Sequence, residues 1–224
     1  MDSKLDNFKW LSEPAAQQWL EKLFAVDGEV PMGMRKKMRD ALGAERAVLV
    51  SQQVELRQRA KVKFEKGNDM LFTKRGLEQS TDEHIALYKS QQIPEEYRVA
   101  DLCCGIGGDL ISLSNSHRAT GFDLDPVMCH AAAHNCGVHS VSSTVRQLDV
   151  TADPNELGEF DFLHVDPDRR IATHRRTEVE SYEPPLSIFE PMMERGVPMC
   201  IKIAPGALAP EHWVKHCKVE WIES

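Results

Sequence analysis

The stretch "ADLCCGIGGD", residues 100–109, determines how the rest of the chain is interpreted. An apolar segment ends here and passes through Gly105, Gly107 and Gly108 into a helical pattern. Glycines at such a turn let the backbone approach a ligand closely, and the free N–H groups of the next helix suit an anionic group. The stretch therefore predicts a strand, a ligand-binding turn and a helix.

The glycine spacing argues against a dinucleotide site. A dinucleotide-binding turn reads G-x-G-x-x-G, and Leu110 stands where its third glycine belongs. The acid inside the first strand, Asp101, also suits a cationic ligand better than a diphosphate. A dehydrogenase that binds NAD is therefore disfavoured.

Short apolar segments alternate with helical ones after Pro94. Five segments read as strands: "RVADLCC", "ATGFDLD", "STVRQLDV", "FDFLHVDP" and "PMCIKIAPG". The segments between them, such as "GDLISLSNS" and "PVMCHAAAHNCG", read as crossover helices. This alternation predicts a doubly wound α/β domain with a parallel sheet, whose ligand lies beyond the carboxyl ends of the strands.

The part before the sheet is helical in pattern. Apolar residues recur at helical intervals up to about residue 95, with Gly43 a break between two helices. We therefore divide the chain into an N-terminal helical domain, residues 1–92, and a ligand-binding α/β domain, residues 93–224. The last part of the first domain, about residues 70–92, is expected to contribute to the ligand site.

Composition indicates a soluble globular protein. The 224 residues are 42% hydrophobic and 28% charged, enough for one domain and an appendage. No apolar run approaches the ~20 residues that cross a bilayer, and the N-terminus lacks a secretory leader. We therefore expect a cytoplasmic protein without a membrane segment.

The cysteines and the charges exclude several classes of protein. Six cysteines at irregular spacing fit neither a disulfide framework nor a metal site, so we predict reduced thiols and no bound metal. The net charge of −8 argues against nonspecific coating of nucleic acid. Basic residues nevertheless cluster at 35–39, 57–66 and 168–176, and the first two clusters are interpreted as solvated helix faces.

Acids follow the second and third strands. Asp123, at the end of the second strand, is placed to accept hydrogen bonds from both hydroxyls of a ribose. Asp125 is better suited to cap the helix that starts at Pro126, and the alternative is that it shares the ribose contact. Asp149, after the third strand, could accept from an adenine amino group, with Val150 as the neighbouring backbone contact. Together with the glycine turn, these acids indicate a binding site for an adenosine that carries a charged tail.

The motifs "DLCCGIGG", "GFDLDP", "QLDV" and "VDPDRR", in this order, resemble those of class I S-adenosylmethionine-dependent methyltransferases. Further stretches, "LFTKRGLEQST", "RRTEVESYEPPLS" and "KIAPG", resemble the bacterial methyltransferases that carry a THUMP-like domain. The resemblance extends across about residues 70–206. It implies a Rossmann-like sheet and S-adenosylmethionine as the methyl donor.

The resemblance also implies which residues hold this donor. The methionine end would lie over the glycine turn, and the segment before the first strand would fold back over the cofactor. Adenosine would lie on the acids that follow the second and third strands. The implied cofactor-binding residues are Asp101, Cys103, Gly105, Gly107, Asp123, Leu124, Asp149, Val150, Gln79 and Thr81.

The end of the sequence departs from the family pattern. A class I sheet has a sixth and a seventh strand after the five identified above. We interpret "CKVEWIES" as the sixth strand and expect a C-terminally truncated sheet, without the final strand and without the THUMP-like domain.

The fourth strand leads into "DPDRR", which would meet the methyl acceptor. In methyltransferases that act on amino groups of bases, an acid and a prolyl carbonyl hold the nucleophile, which assigns Asp166 and Pro167 as catalytic residues. Asp168 and Arg169 replace the second proline and the aromatic residue of that pattern. Arg169 and Arg170 are instead expected to bind a phosphate of the substrate. Alternatively, they form salt bridges with neighbouring acids.

We therefore predict an S-adenosylmethionine-dependent methyltransferase that acts on RNA, either tRNA or rRNA. One alternative is a methyltransferase of a small anionic metabolite. The other is a non-catalytic module that binds the cofactor for stability. His164 is interpreted as a packed, hydrogen-bonded side chain without a catalytic role. The oligomeric state does not follow from the sequence.

Overall fold

The structure is a computed structural model that describes residues 3–26, 29–152, 157–168, 170–171, 174–175, 182–204, 206–207 and 209–222. Its strands are β1 (Arg98–Leu102), β2 (Arg118–Asp123), β3 (Thr144–Gln147), β4 (Phe162–Val165), β5 (Arg170–Ile171), β6 (His174–Arg175) and β7 (Met199–Ile201). Five of them form one parallel sheet in the order β3-β2-β1-β4-β7. The short β5 and β6 pair antiparallel with each other. The predicted Rossmann-like α/β fold with an N-terminal helical region is confirmed.

The helices are α1 (Ser3–Trp10), α2 (Pro14–Phe24), α3 (Met32–Ala60), α4 (Lys74–Gln79), α5 (Glu83–Ser90), α6 (Gly108–Ser116), α7 (Pro126–Val138), α8 (Glu190–Glu194) and α9 (Glu211–Val214). Gly43 interrupts α3 with a φ of 77°, as its place in the sequence predicts. Pro126 opens α7, and the Asp125 carboxylate caps it by accepting from the Val127 N–H. The helix cap assigned to Asp125 is thus present.

Alternate residues of the strands enter two different hydrophobic clusters. Val99 belongs to the first cluster, which it shares with residues of α1, α2, α3, α6 and α7. Ala100 and Leu102 belong to the second cluster, on the opposite face, with Phe189 and Trp213. This alternation follows from the two-residue period of a strand. It places Asp101 on the same face as the N-terminal helices.

Helix α6 packs closely against β2 without a third glycine in the turn. A Cβ atom at Gly121 would lie 2.6 Å from Leu110 Cδ2 and 3.0 Å from Cys104 Sγ. The close approach that a helix glycine gives in dinucleotide-binding folds is therefore supplied here by a glycine of the strand.

The segment that precedes α4 is anchored by buried side chains. Asn135 of α7 accepts from the Leu71 N–H at 2.7 Å and donates to the Leu71 carbonyl at 3.0 Å. Gln53 of α3 makes the same pair of bonds with the backbone of Phe72. On both sides of this segment, amide side chains thus make the backbone hydrogen bonds that a neighbouring strand would make. The buried N–H and C=O groups of Leu71 and Phe72 are therefore all paired.

Two sequence expectations need correction. The basic stretch 57–66 is only partly a solvated helix face, because Arg57 is buried and donates to the carbonyl of Met70 at 2.9 Å. Burial lowers the pKa of this guanidinium to about 10. The "CKVEWIES" segment is not a strand over its described residues 217–222. Trp221 is 73% exposed there, so the segment lacks the packing that a strand of this sheet would have.

Candidate functional site

Strand register brings the predicted site residues into one row. Leu102 pairs with Phe122 of β2 and Val165 of β4, and Val165 pairs with Ile201 of β7. The next residue of each strand therefore lies at the carboxyl edge of the sheet. In spatial order, these residues are Asp123, Cys103, Asp166 and Lys202. Three of the four are predicted site residues, and Lys202 is not.

The glycine turn has the left-handed backbone that its sequence predicts. Gly105 and Gly107 have φ values of 54° and 85°. A Cβ atom at Gly105 would meet no described atom within 4 Å, so the turn leaves open space there. Cys103 also has a positive φ, 63°, which is uncommon for a residue other than glycine. Burial raises the pKa of its thiol well above the usual range, so the thiol is not activated as a nucleophile.

Asp123 is bonded to the backbone of this turn. Its Oδ2 accepts from the Gly105 N–H and its Oδ1 from the Asp125 N–H, each at 2.9 Å. Burial raises the pKa of this carboxyl, although the two hydrogen bonds oppose the effect. Asp123 therefore holds the turn in place and leaves its remaining lone pairs for a ligand.

The residues predicted to contact adenine flank the same edge. Asp149 accepts from the N–H and the hydroxyl of Thr151, at 2.9 and 2.6 Å, which lowers the pKa of its carboxyl. Val150 is buried, whereas Leu124 is 63% exposed beside β2. The structure thus gives Val150 a packing role and leaves the Leu124 side chain accessible.

Helix α4 packs directly on the glycine turn. The Thr73 hydroxyl caps α4 by accepting from the Gly76 N–H at 2.8 Å. A Cβ atom at Gly76 would overlap Ile106 Cγ2, and one at Gly108 would lie 3.2 Å from the Thr81 carbonyl oxygen. The segment of residues 73–81 therefore forms a wall beside the turn, where its predicted ligand-binding residues are brought to the site.

Thr81 and Gln79 already have protein partners in this wall. The Thr81 hydroxyl donates to Asp109 Oδ2 at 2.7 Å. Gln79 Nε2 donates to Asp168 Oδ1 at 2.6 Å, and Arg75 forms an ion pair with the same carboxylate. The wall is thus connected both to α6 and to the segment after β4.

A buried ionic network lies beneath the turn. Asp101 Oδ1 contacts His164 Nδ1 at 2.8 Å across neighbouring strands, and His164 Nε2 lies 3.1 Å from Lys89 Nζ. Lys89 Nζ in turn lies 2.5 Å from Asp109 Oδ1. Four ionisable side chains from β1, β4, α5 and α6 therefore meet on the face of the sheet that the N-terminal helices cover.

Charge and burial oppose each other within this network. Burial would raise the pKa of Asp109, but the neighbouring His164 and Lys89 outweigh it and lower the pKa to about 2. Burial also favours neutral Lys89, yet Asp109 and Asp166 raise the pKa of the amine. Burial raises the pKa of Asp101, whose Oδ2 has no partner among the described residues. Asp109 and Lys89 thus form a charged pair.

The segment after β4 places Asp166 at the open edge of the site. Its N–H donates to the Leu102 carbonyl at 3.2 Å, which fixes it beside the end of β1. Lys202 Nζ donates to Asp166 Oδ2 at 2.6 Å, and Pro167 is buried. Arg169 lies outside the described residues, and only the backbone of Arg170, in β5, is described. The structure thus brings Asp166 and Pro167 to the site and does not test the two arginines.

Sequence reasoning missed the ionic residues Lys89, Asp109 and Lys202. A charged residue inside an apolar pattern is a usable signal, and both Lys202 in "CIKIAPG" and His164 in "FLHV" have it. Lys89 carries no such signal, because it lies in the last turn of α5, where a basic residue is ordinary, and its burial depends on where α5 packs. His164 is packed and hydrogen-bonded, as its sequence context predicts.

Two features are absent from the described residues. No group of three or more His, Cys, Asp or Glu side chains is arranged to hold a metal ion. No helix in the described part of the chain is both long enough and apolar enough to span a bilayer.

Comparison with known proteins identifies the α/β region. A family model described as a methyltransferase domain matches residues 99–175. This range begins in β1 and contains the glycine turn, Asp123, Asp149 and the "DPDRR" segment. No curated protein matches the sequence.

Among solved structures, a protein of Porphyromonas gingivalis W83 assigned as a methyltransferase aligns with a TM-score of 0.56 and 21% sequence identity. The alignment covers 85% of this chain and 47% of that protein, so this chain spans about half of its length. At this identity the likeness shows a common fold. It includes the helical region as well as the sheet, since most of this chain is aligned.

Two RNA methyltransferases crystallised with S-adenosyl-L-homocysteine are more distant. The one from Salinibacter ruber has a TM-score of 0.39 and 18% identity over 58% of this chain and 79% of that protein. The tRNA (uracil-54, C5)-methyltransferase of Pyrococcus abyssi has a TM-score of 0.34 and 19% identity over 46% of this chain and 25% of that protein. Likenesses at this level do not bear on the substrate of this chain.

Proposed function

Because residues 99–175 match a methyltransferase domain, whose cofactor is S-adenosylmethionine, we propose that this chain transfers a methyl group from that cofactor to RNA. The observation that carries the proposal is the row Asp123, Cys103 and Asp166 at the carboxyl edge of the sheet. In this row Asp123, the proposed ribose-binding acid, and Asp166, the proposed acceptor-binding acid, lie on either side of Cys103, where the glycine turn begins.

The residues at this edge fit the proposed cofactor. Gly105 leaves open space for its methionine end, and the lone pairs of Asp123 that the turn does not use suit ribose hydroxyls. Asp149 would accept from the adenine amino group, with Val150 and Leu124 alongside. Gln79 and Thr81 would approach the methionine end from the wall formed by residues 73–81. When bound, the cofactor supplies a sulfonium methyl group that is already activated for displacement.

Orientation supplies most of the catalysis in such a reaction. The leaving group is good, so holding the nucleophile in line with the methyl group accounts for much of the acceleration. We assign this role to Asp166, whose carboxylate would bind the acceptor and take up its proton, and to the carbonyl of Pro167. Asp166 stands next to Cys103 and therefore beside the expected position of the sulfonium.

RNA as the acceptor is supported by the basic sequence that follows Asp166. Arg169 and Arg170 would bind phosphates and position the acceptor strand. A small anionic metabolite is the second candidate. It is favoured by one observation, the lack of an aromatic residue after Asp166 on which a base could stack. In that case the same arginines would hold a carboxylate or phosphate.

One experiment separates these functions. Full-length protein is incubated with cofactor carrying a labelled methyl group and with either total RNA or a small-metabolite extract. Label in RNA supports the proposal, and label only in the extract supports the second candidate. Binding of the cofactor without any label transfer indicates a non-catalytic module.

Substitutions then assign the acceptor residues. Asp166→Ala is expected to keep cofactor affinity and lose most of the turnover, because its contact is made with the acceptor in the transition state. Arg169→Ala and Arg170→Ala are expected to weaken acceptor binding and to reduce its salt dependence if the acceptor is a nucleic acid. Arg195→Ala, at an exposed position after α8, is the matched control. Full turnover of Asp166→Ala contradicts the assignment.

A further inference from the structure

Lys202 stands in the row of site residues and opens the "KIAPG" stretch, although the sequence alone assigns it no role. Its N–H donates to the Val165 carbonyl at 2.9 Å, which fixes its backbone beside the residue before Asp166. Its side chain is 28% exposed and that of Asp166 is 19% exposed, so the pair lies at the mouth of the site and not in the core. A lysine at this place is accessible to a ligand bound at the edge of the sheet.

The ammonium of Lys202 has two oxygen partners on different elements. It donates to Asp166 Oδ2 at 2.6 Å and to the Thr81 hydroxyl at 3.2 Å. The Thr81 hydroxyl donates its own hydrogen bond to Asp109 Oδ2, so its orientation is set by a buried acid. Lys202 is therefore held between a fixed hydroxyl and Asp166, which restricts the position of the Asp166 carboxylate.

The other oxygen of Asp166 has no partner in the described part of the chain. No described residue forms a hydrogen bond with Asp166 Oδ1, whereas Oδ2 is engaged by Lys202. A carboxylate bound through one oxygen to a fixed ammonium presents the second oxygen in one orientation. That arrangement suits an acceptor that donates one N–H or O–H group.

We propose that Lys202 is the positioning residue of the acceptor site: its ammonium, fixed by Thr81, holds Asp166 Oδ2 and aims Oδ1 at the nucleophile. This inference rests on the proposed function, because it assigns Lys202 a role in the same methyl transfer. Lys202 acts through Asp166. It also contacts Thr81, but the Thr81 hydroxyl has its own hydrogen bond to Asp109, which does not depend on Lys202. The proposed cofactor-binding residues on β1 and β2 have no hydrogen bond to Lys202. Its removal therefore affects the rate of transfer and not the binding of the cofactor.

The test compares Lys202→Met, Lys202→Arg and the exposed control Lys218→Met. S-adenosylhomocysteine affinity, measured by calorimetry, is expected to be unchanged within about twofold in all three, which also shows that they fold. With the acceptor found by label transfer, kcat of Lys202→Met is expected to fall about 100-fold, since a displacement of about 1 Å costs this much. The KM for the cofactor stays the same, and Lys202→Arg recovers most of the rate.

Crystal structures of the S-adenosylhomocysteine complexes provide a readout that needs no activity. The Asp166 carboxylate is expected to leave its position in Lys202→Met and to keep it in Lys202→Arg. If the wild-type protein labels neither RNA nor metabolites, the proposed function fails, but this displacement still tests the role of Lys202. An unmoved Asp166 carboxylate in Lys202→Met, or full turnover of that variant, overturns the inference.

Discussion

Asp123 forms hydrogen bonds with the glycine turn and, in the proposed function, also with the ribose of the cofactor. Both of its oxygens accept backbone N–H groups, from Gly105 on one side and Asp125 on the other. A carboxylate oxygen has two lone pairs, so each still has capacity for a ligand hydroxyl. This shared use means that a substitution here affects the turn and the ligand contact together.

Asp123→Ala is therefore expected to lower the affinity for S-adenosylmethionine about 10- to 100-fold. The reason is that hydrogen bonds worth roughly 1 to 3 kcal/mol are lost. Calorimetry measures this change directly. Asp161→Asn, at the opposite end of the sheet before β4, is the control and should bind normally. Unchanged binding in Asp123→Ala would remove Asp123 from the cofactor site. NAD should bind neither protein.

At the scale of elements, the wall of residues 73–81 is short but well anchored. The single helix α4 has only six residues, too few to be stable alone. Lys63 donates to the carbonyls of Leu77 and Ser80, at 3.0 and 2.7 Å, and thereby binds the end of α4. Its position thus depends on α3 behind it and on the glycine turn in front of it.

A ligand over the glycine turn should make this wall more rigid. Hydrogen exchange of residues 72–82 is expected to slow when S-adenosylhomocysteine is added, because the bound ligand opposes local opening of α4. Mass spectrometry of peptides from this segment measures the effect, with peptides from α2 as the internal reference. Equal exchange with and without ligand would mean that the wall does not contact the cofactor.

A second element-scale prediction concerns the start of the sheet. Arg98 opens β1 and donates from its N–H and its Nε to Asp161 Oδ2, each at 2.9 Å. The hydrogen bonds from Arg98 lower the pKa of Asp161 to about 2. A carboxyl whose pKa is lower in the folded state stabilises the protein above its unfolded pKa of about 3.9 and loses that effect as pH falls toward 2.

Asp161→Asn should accordingly be less stable than the wild type at pH 7 and at pH 5, by the same amount. The difference in unfolding free energy should then shrink between about pH 4 and pH 2. Urea denaturation followed by circular dichroism at several pH values measures it. A difference that stays constant down to pH 2.5 would show that the Arg98–Asp161 pair does not have this role.

On the scale of the whole molecule, the helical region and the sheet share a hydrophobic cluster. Leu11 and Leu20 of the N-terminal part belong to the same cluster as Val99 of β1 and Ala131 of α7. Ser12 adds a polar contact, with its hydroxyl 2.8 Å from His130 Nε2 of α7. Folding of the two parts should be coupled, because neither can bury this cluster alone.

Leu20→Ala tests this coupling. It should lower the free energy of unfolding by about 2 to 5 kcal/mol, since Leu20 is buried. Pulsed hydrogen exchange across a urea series should show peptides from α2 and β1 losing protection at the same urea concentration, which is lower in the variant. Met32→Ala, 86% exposed, is the control and should leave the midpoint unchanged. Loss of protection in α2 alone would show that the helical region unfolds independently.

Local pattern was enough to predict the architecture of the sheet. The apolar runs, the glycine turn and the acids at strand ends are properties of neighbouring residues, and short-range stereochemistry ties them to strands, turns and helix starts. The five parallel strands, the Rossmann-like fold and the break at Gly43 follow from such patterns. The positions of Asp123, Asp149 and Asp166 at or just after the ends of their strands follow from them as well.

Only the tertiary structure decided which of these residues meet. Strand register places Lys202 beside Asp166 and His164 opposite Asp101, although the partners are far apart in sequence. Packing of α5 buries Lys89 against Asp109, and the side chains of Gln53 and Asn135 position the segment before α4. Such contacts depend on how the elements are arranged in space. The energy of an ion pair or of a buried hydrogen bond is set by the distance between the two groups and by their burial, and not by the spacing of residues along the chain.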